Sequence, residues 1–176
     1  MTIIFASRLV AYKNLAFVYS AIAEMKKANT WPKDTKFVVM GSGPEELHLR
    51  ELIAKLNLEN EVVMLGSVSE ERVLEETKNC ALALAPALTE FSPNYVLRAI
   101  RETSPFLISC EHGLAFRVPE EFMFEARDED EFISKLSWIL SHKDEAKLLV
   151  MGIRTNQTWD FVIEKNVELI NNLLLA

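Results

Sequence analysis

Little in this chain of 176 residues marks it for a specialised class of protein. Its two cysteines, Cys80 and Cys110, show no paired metal spacing, and so low a count suits a reducing compartment. Both read as core or loop residues. His48 and His142 sit in no motif, and no group of His, Asp and Glu has the spacing of a metal site. No run approaches the roughly 20 apolar residues that span a bilayer. Met1 leads straight into TIIFAS, without the charged, apolar and small-residue order of a signal peptide. A soluble, cytoplasmic domain is therefore expected, and a strand directly at the start suggests a trimmed chain or the tail half of a longer protein. Basic residues are outnumbered: the formal charge is −7 and the two signs are interspersed, so the broad positive footprint of a nucleic-acid binder is missing.

What is present is apolar and periodic. Hydrophobic residues make up 49% of the chain, enough for one compact domain over residues 1–176 with a sizeable core and no room for a second full domain. Thr2 to Ala6 reads as a short buried strand, and Leu15, Val18, Tyr19, Ile22 and Met25 recur at helical spacing within Lys13 to Lys27. The alternation repeats with a strand at Lys36 to Met40 and a helix at Glu45 to Leu56. A strand at Glu61 to Leu65, a helix at Glu70 to Lys78 and a strand at Ala81 to Ala85 follow. After Gly113 the signals weaken to an irregular segment, a short strand at Phe122 to Phe124 and a helix from Asp128 to Leu140. From Asp144 two further helices hinge near Gly152. Alternating buried strands and amphipathic helices predict an α/β fold, a doubly wound and mainly parallel sheet covered on both faces.

The stretch APALTEFSPNYVLRAIRETSPFLISCEHG, Ala85 to Gly113, is the one the others deliver to the sheet's edge. It reads as strand, acidic loop at Glu90, helix and returning strand at Pro105. Ser92 suits an N-cap and Pro93 the first helical position, which needs no N–H. That start, with Asn94 in its first turn, would lie at the carboxyl end of a parallel strand, where open α/β sheets bind ligands and helix starts attract phosphate. Four more loops gather at the same edge: Ser7 to Lys13, Gly41 to Pro44, Gly66 to Ser69, and Cys110 to Gly113. Arg8 and Lys13 can bracket a diphosphate or be ordinary surface cations. Gly41 and Gly43 can let backbone approach a ligand or only permit a tight turn. The lone G-x-G lacks the third glycine of a dinucleotide fingerprint.

In collinear order over nearly the whole chain, these motifs resemble the nucleotide-binding C-terminal domain of glycosyltransferase family 4, a Rossmann-like half of the two-domain GT-B architecture. The matching pieces are SRLVAYKN (in the family G-R-L, a short gap, then K-G or K-N), VVMGSGPEELHLRELIAKLNL, VVMLGSVSEERV, the Ala85 to Gly113 stretch, and TWDFVIEKN near the end. The resemblance implies that Arg8 and Lys13 hold the diphosphate of a nucleotide-sugar donor, that Glu90 meets sugar hydroxyls, and that backbone at Gly66, Ser67 and Val68 lines the base. These three charged residues are then the expected catalytic groups. The donor site also takes in Gly41, Gly43, Ser92, Asn94, Arg98, His112 and Gly113. The family retains anomeric configuration and needs no metal or other cofactor. The partners implied are a nucleoside-diphosphate sugar and an acceptor-binding N-terminal domain of the same protein. The helices from about residue 144 on would dock against that domain, and peripheral membrane association would run through it.

The departures fall where function is decided. Eight positions after the first glutamate the family has a second, which accepts hydrogen bonds from ribose; here Arg98 stands there, with no acceptor and the opposite charge. Phe91, Pro93, Thr103 and His112 replace small residues or glycines, and Phe91 with His112 is expected to narrow the sugar pocket. Glu102, one turn beyond Arg98, is expected to pair with it rather than to replace the lost ribose contact. Trp138 and Trp159 read as core or interdomain packing. Two readings remain: the donor domain of a glycosyltransferase, inactive without its other half, and a degenerate, non-catalytic module acting as a partner or regulatory subunit.

Overall fold

A computed structural model describes residues 1–91, 93–114 and 116–153, with Val167. Six strands form one sheet: β1 (Thr2–Ala6), β2 (Lys36–Met40), β3 (Val62–Gly66), β4 (Leu82–Ala85), β5 (Phe106–Ser109) and β6 (Met123–Phe124). All pair in parallel, in the order β3-β2-β1-β4-β5-β6. The chain winds outward from β1 through β2 and β3, then crosses back to β4 on the other side. The point of reversal therefore lies between β1 and β4, the place where open α/β sheets form a crevice at their carboxyl ends.

Central strands are buried on both faces, which is why they read as unbroken apolar runs. Every residue of β4 and β5 is buried, whereas the edge strand β3 is buried only at Val62. The helices are α1 (Leu15–Lys27), α2 (Glu46–Lys55), α3 (Glu70–Asn79), α4 (Asn94–Arg101), α5 (Glu129–Ser141) and α6 (Lys143–Gly152). Helix α1 packs with α2 and α5, and α3 packs with α4, so the two groups clothe the sheet's two faces. The weak segment beyond Gly113 is held by aromatics. Phe124 stands 5.0 Å from Phe132 and 6.2 Å from Phe17, and Phe106 lies 4.9 Å from Phe122. Truncating such a fully buried ring typically costs about 3 to 5 kcal/mol.

Three boundaries differ from the sequence reading, each for a local reason. The helix expected from Lys13 starts at Leu15, because Asn14 takes the left-handed conformation (φ 60°) and separates α1 from a short 3-10 turn at Ala11–Lys13. Asparagine tolerates that region, and the Asn14 side chain donates to the Ala126 carbonyl at 2.9 Å. Pro93 is not the first helical residue: it is the N-cap, and its carbonyl accepts from the Leu97 N–H at 3.1 Å. Phe122 belongs to a 3-10 turn, Glu120–Phe122, rather than to β6. Ser92, Trp159 and the expected final helix lie outside the described residues.

Candidate functional site

Parallel strands place all five predicted loops at the carboxyl edge of the sheet. They are zipped together by backbone. Leu9 N–H donates to the Ser42 carbonyl at 2.9 Å, Gly41 N–H to Gly66 at 2.7 Å, Leu88 N–H to Tyr12 at 2.8 Å, and Gly113 N–H to Glu90 at 2.9 Å. Glycine is required where these strands of loop cross. A Cβ on Gly41 would overlap the Ser7 carbonyl oxygen, one on Gly43 the Leu9 carbonyl oxygen, and one on Gly113 the Phe91 carbonyl oxygen. Of the two readings of Gly41 and Gly43, the close approach is therefore real, but it is to the first loop.

Two cavities open over the reversal point. The larger, about 690 Å³, lies between the first loop (Ser7, Arg8), the Gly41 to Gly43 segment, the Ser67 to Glu70 segment, and the α4 face carrying Asn94, Tyr95 and Arg98. The smaller, about 200 Å³, holds Lys13 and Glu90 and is bounded by Pro86 and Pro93. They share Ala6, Ser7, Asn94 and Tyr95 as a common wall. The larger volume falls in the range of small-molecule and cofactor sites. Tyr95 is fixed in the wall by its hydroxyl, which donates to the Ile4 carbonyl at 3.2 Å, and burial holds its phenol well above the ordinary range.

Lys13 is no surface cation: it is 8% exposed. The left-handed Asn14 ends the 3-10 turn and leaves Lys13 facing β4, where its ammonium pairs with the Glu90 carboxylate. The Tyr12 ring lies 5.2 Å from the same ammonium. An ammonium has three donors, so the pair leaves capacity for a ligand. Arg8 differs. It is exposed, and among the described residues its guanidinium has neither a hydrogen bond nor an ion pair. An unpaired guanidinium at a cavity mouth is a ready partner for an anion.

Arg98 lines the larger cavity, but its partner is Glu70, the first residue of α3, and not Glu102. Glu102 instead lies 3.6 Å from Lys78. The reason is the facing of α4: its Arg98 face looks toward the loop before α3, where the Ser69 hydroxyl accepts from the Arg72 N–H at 3.3 Å and caps that helix. Exposed ion pairs of this kind contribute about 0 to 1 kcal/mol, so a ligand displaces or joins them at small cost. Across the cavity mouth the hydroxyls of Ser42 and Ser67 share a hydrogen bond of 2.8 Å.

Other expected residues sit elsewhere. Phe91 is 91% exposed and narrows no pocket. His112 and Gly113 lie outside both cavities, behind the Glu90 loop, where Glu90 and His112 form an isolated parallel bridge. Gly66 ends β3 with φ 71° and borders the cavity only through Ser67 and Val68. Cys80 is buried, which pushes its thiol up to about 12, and the exposed Cys110 is raised to about 11. Both shifts run away from the thiolate form. Among the described residues no group of three His, Cys, Asp or Glu could hold a metal ion, and no helix is long and apolar enough to cross a membrane. Sequence reading does not single out Ser42, Glu70 or Tyr95. Tyr95 could have been found three residues before Arg98 on one helix face, but Glu70 becomes visible only when α3 and α4 are brought together.

The family model for glycosyl transferases group 1 matches residues 1–142. The chain belongs to this family. Over 99% of its length it is 28% identical to the phosphatidylinositol N-acetylglucosaminyltransferase gpi3 subunit of Schizosaccharomyces pombe, of which it spans 41%. The catalytic domain of cholesterol-α-glucosyltransferase from Helicobacter pylori superposes with a TM-score of 0.74. That match has 24% identity and covers 85% of this chain and 92% of that one. HepE of Anabaena, solved in complex with UDP and glucose, gives 0.70 at 18% identity, covering 85% of this chain and 41% of HepE. These likenesses fix the fold as the Rossmann-like α/β fold of GT-B glycosyltransferases, and the expected doubly wound parallel sheet is what the structure has.

Proposed function

We propose that this chain is the nucleotide-sugar-binding domain of a metal-independent, retaining glycosyltransferase, completed by a second domain that carries the acceptor. The observation that carries the reading is the double cavity at the reversal point, with the unpaired Arg8 at the larger chamber and the Lys13–Glu90 pair in the smaller. The larger chamber has the size for a nucleoside and the smaller for part of a sugar. Between them lies the start of α4, the positive end of its dipole. When the bond from the anomeric carbon to the diphosphate breaks, its electron pair leaves with the phosphate oxygen. Cations held in place beforehand stabilise that charge without reorganisation. Arg8 and Lys13 are the groups for this role, and Glu90, anchored by Lys13, accepts from a sugar hydroxyl.

Support from relatives is of the same kind: the gpi3 subunit is named for N-acetylglucosaminyl transfer, and HepE has been solved with UDP and glucose. Peripheral membrane association belongs, in this reading, to the second domain. One observation favours the alternative of a non-catalytic module: Lys13 and Arg98 are both neutralised by carboxylates of this chain.

A ligand that binds only the native state raises its melting temperature. At millimolar concentration, uridine, guanosine or adenosine diphosphate is expected to do so. Arg8→Ala is the clean probe, because Lys13 is buried against Glu90 and its removal disturbs the fold. It is expected to abolish most of the shift and leave the unliganded melting temperature unchanged. A full shift in Arg8→Ala, or none in the wild type with any of the three, rejects the reading.

A further inference from the structure

Among the described residues the larger cavity contains one carboxylate, that of Glu70. Only its Oε1 is engaged, by the Arg98 guanidinium, and among the described residues Oε2 has no partner. Arg98 is held from behind by helix α4, and Ser69 fixes the α3 start on which Glu70 sits. The guanidinium therefore holds the carboxylate at the cavity wall with one oxygen to spare. The other polar groups of the chamber are weaker acceptors: Arg8 and Arg98 only donate, the Ser42 and Ser67 hydroxyls are spent in part on each other, and Ser7 and Asn94 carry no charge.

We infer that Glu70 is the hydroxyl-accepting residue of this chamber, taking the vicinal diol of a bound ribonucleoside, and that Arg98 is its positioning residue. The inference rests on the nucleotide-sugar reading above and extends it. The residue that reads ribose is placed on α3, beside the α4 position where an arginine stands. A carboxylate accepts from two neighbouring hydroxyls at once, and it discriminates strongly against a ligand lacking one of them. A phosphate contact, by contrast, is indifferent to the sugar.

The test is the ratio of affinities, by titration calorimetry, for a ribonucleoside diphosphate and its 2′-deoxy counterpart, run with the uridine, guanosine and adenosine pairs. Loss of one hydrogen bond to a charged acceptor corresponds to about tenfold or more in affinity. The wild type is expected to prefer the ribo form by about that factor. Glu70→Ala is expected to bring the ratio close to one, and Glu70→Gln to leave it intermediate. Glu70 is 72% exposed at its side chain, so the fold tolerates both. Arg98→Met should lower the ratio, and Arg98→Lys, which keeps a cation beside Glu70, should restore part of it. The ratio is insensitive to the charge that Arg98 gains when Glu70 is removed, because both ligands carry the same diphosphate. A wild type without ribose preference, or a Glu70→Ala protein that keeps it, overturns the assignment and leaves the nucleotide-binding reading intact. If Arg98→Met weakens both ligands equally and preserves the ratio, Arg98 is a ligand contact and not a positioning residue. Absence of binding by every diphosphate removes both readings together.

Discussion

The ammonium of Lys13 and the carboxylate of Glu90 form an ion pair 77 residues apart in sequence, with side chains only 10% and 17% exposed. It ties the loop after β1 to the loop after β4 across the point where the sheet reverses. Such a pair has two consequences that pull in opposite directions. Intact, it gains little over an apolar pair of the same volume; broken on one side, it leaves a buried charge without a counterion. Lys13→Met and Glu90→Gln are therefore each expected to cost about 2 to 4 kcal/mol, somewhat below the value for full burial. The double variant should be much less destabilised than the sum. Urea unfolding of the four proteins measures this directly. Strict additivity would mean that the two side chains are solvated independently, and the pair would then not be the buried one described above.

The glycines at the same edge separate two causes of glycine preference. Gly41 has φ 136° and its Cα faces the Ser7 carbonyl, so alanine there meets both a strained backbone and an overlap with main chain. Gly66 also needs a positive φ, 71°, but faces open space. Gly66→Ala should cost about 1 to 2 kcal/mol, the penalty for an L-residue in the left-handed region. Gly41→Ala should cost clearly more, because the first loop must move away. Denaturant midpoints at constant slope report the difference. Equal costs at the two positions would show that the Ser7 contact yields freely.

The fold was legible because period and punctuation agreed. Five of the six strands were placed to within about a residue at either end, since buried parallel strands are runs of Val, Ile, Phe, Ala and Leu between loops. What escaped was set by conformation or by packing of distant segments. Asn14 looks like any polar residue at a helix start. Its left-handed φ explains why the family motif ends in glycine or asparagine, and it is what aims Lys13 inward. Arg98 was legible as an anomaly, whereas its partner was not. Glu102 satisfies the one-turn rule, but side chains on one helix compete with every neighbouring element, and Lys78 and Glu70 are nearer in space. The resemblance places Phe91 at a pocket because the family has a small residue at that position, whereas in this chain the ring points into solvent.

His112 carries the pH dependence that this edge of the sheet is expected to show. Its Nδ1 accepts from the Leu114 N–H at 3.3 Å, so the neutral ring carries its proton on Nε2, which is enclosed without a partner. Burial lowers its pKa from the ordinary histidine value, outweighing a backbone hydrogen bond that acts the other way. Protonation would put a second charged donor where an acceptor is needed. The sign follows: with the folded pKa below the unfolded value of about 6.5, the unfolded chain binds more protons between the two, and stability rises with pH there. The contribution is fully present above about pH 6.5 and is lost as pH falls through the folded value. His112→Asn keeps an acceptor for Leu114 and removes the titration. Between pH 7.5 and 5 the melting temperature of the wild type should therefore fall further than that of the variant, while the two run parallel above pH 7. Curves that stay parallel down to pH 5 would show that the ring protonates without disturbing the loop, and that the bridge between Glu90 and His112 is held by backbone alone.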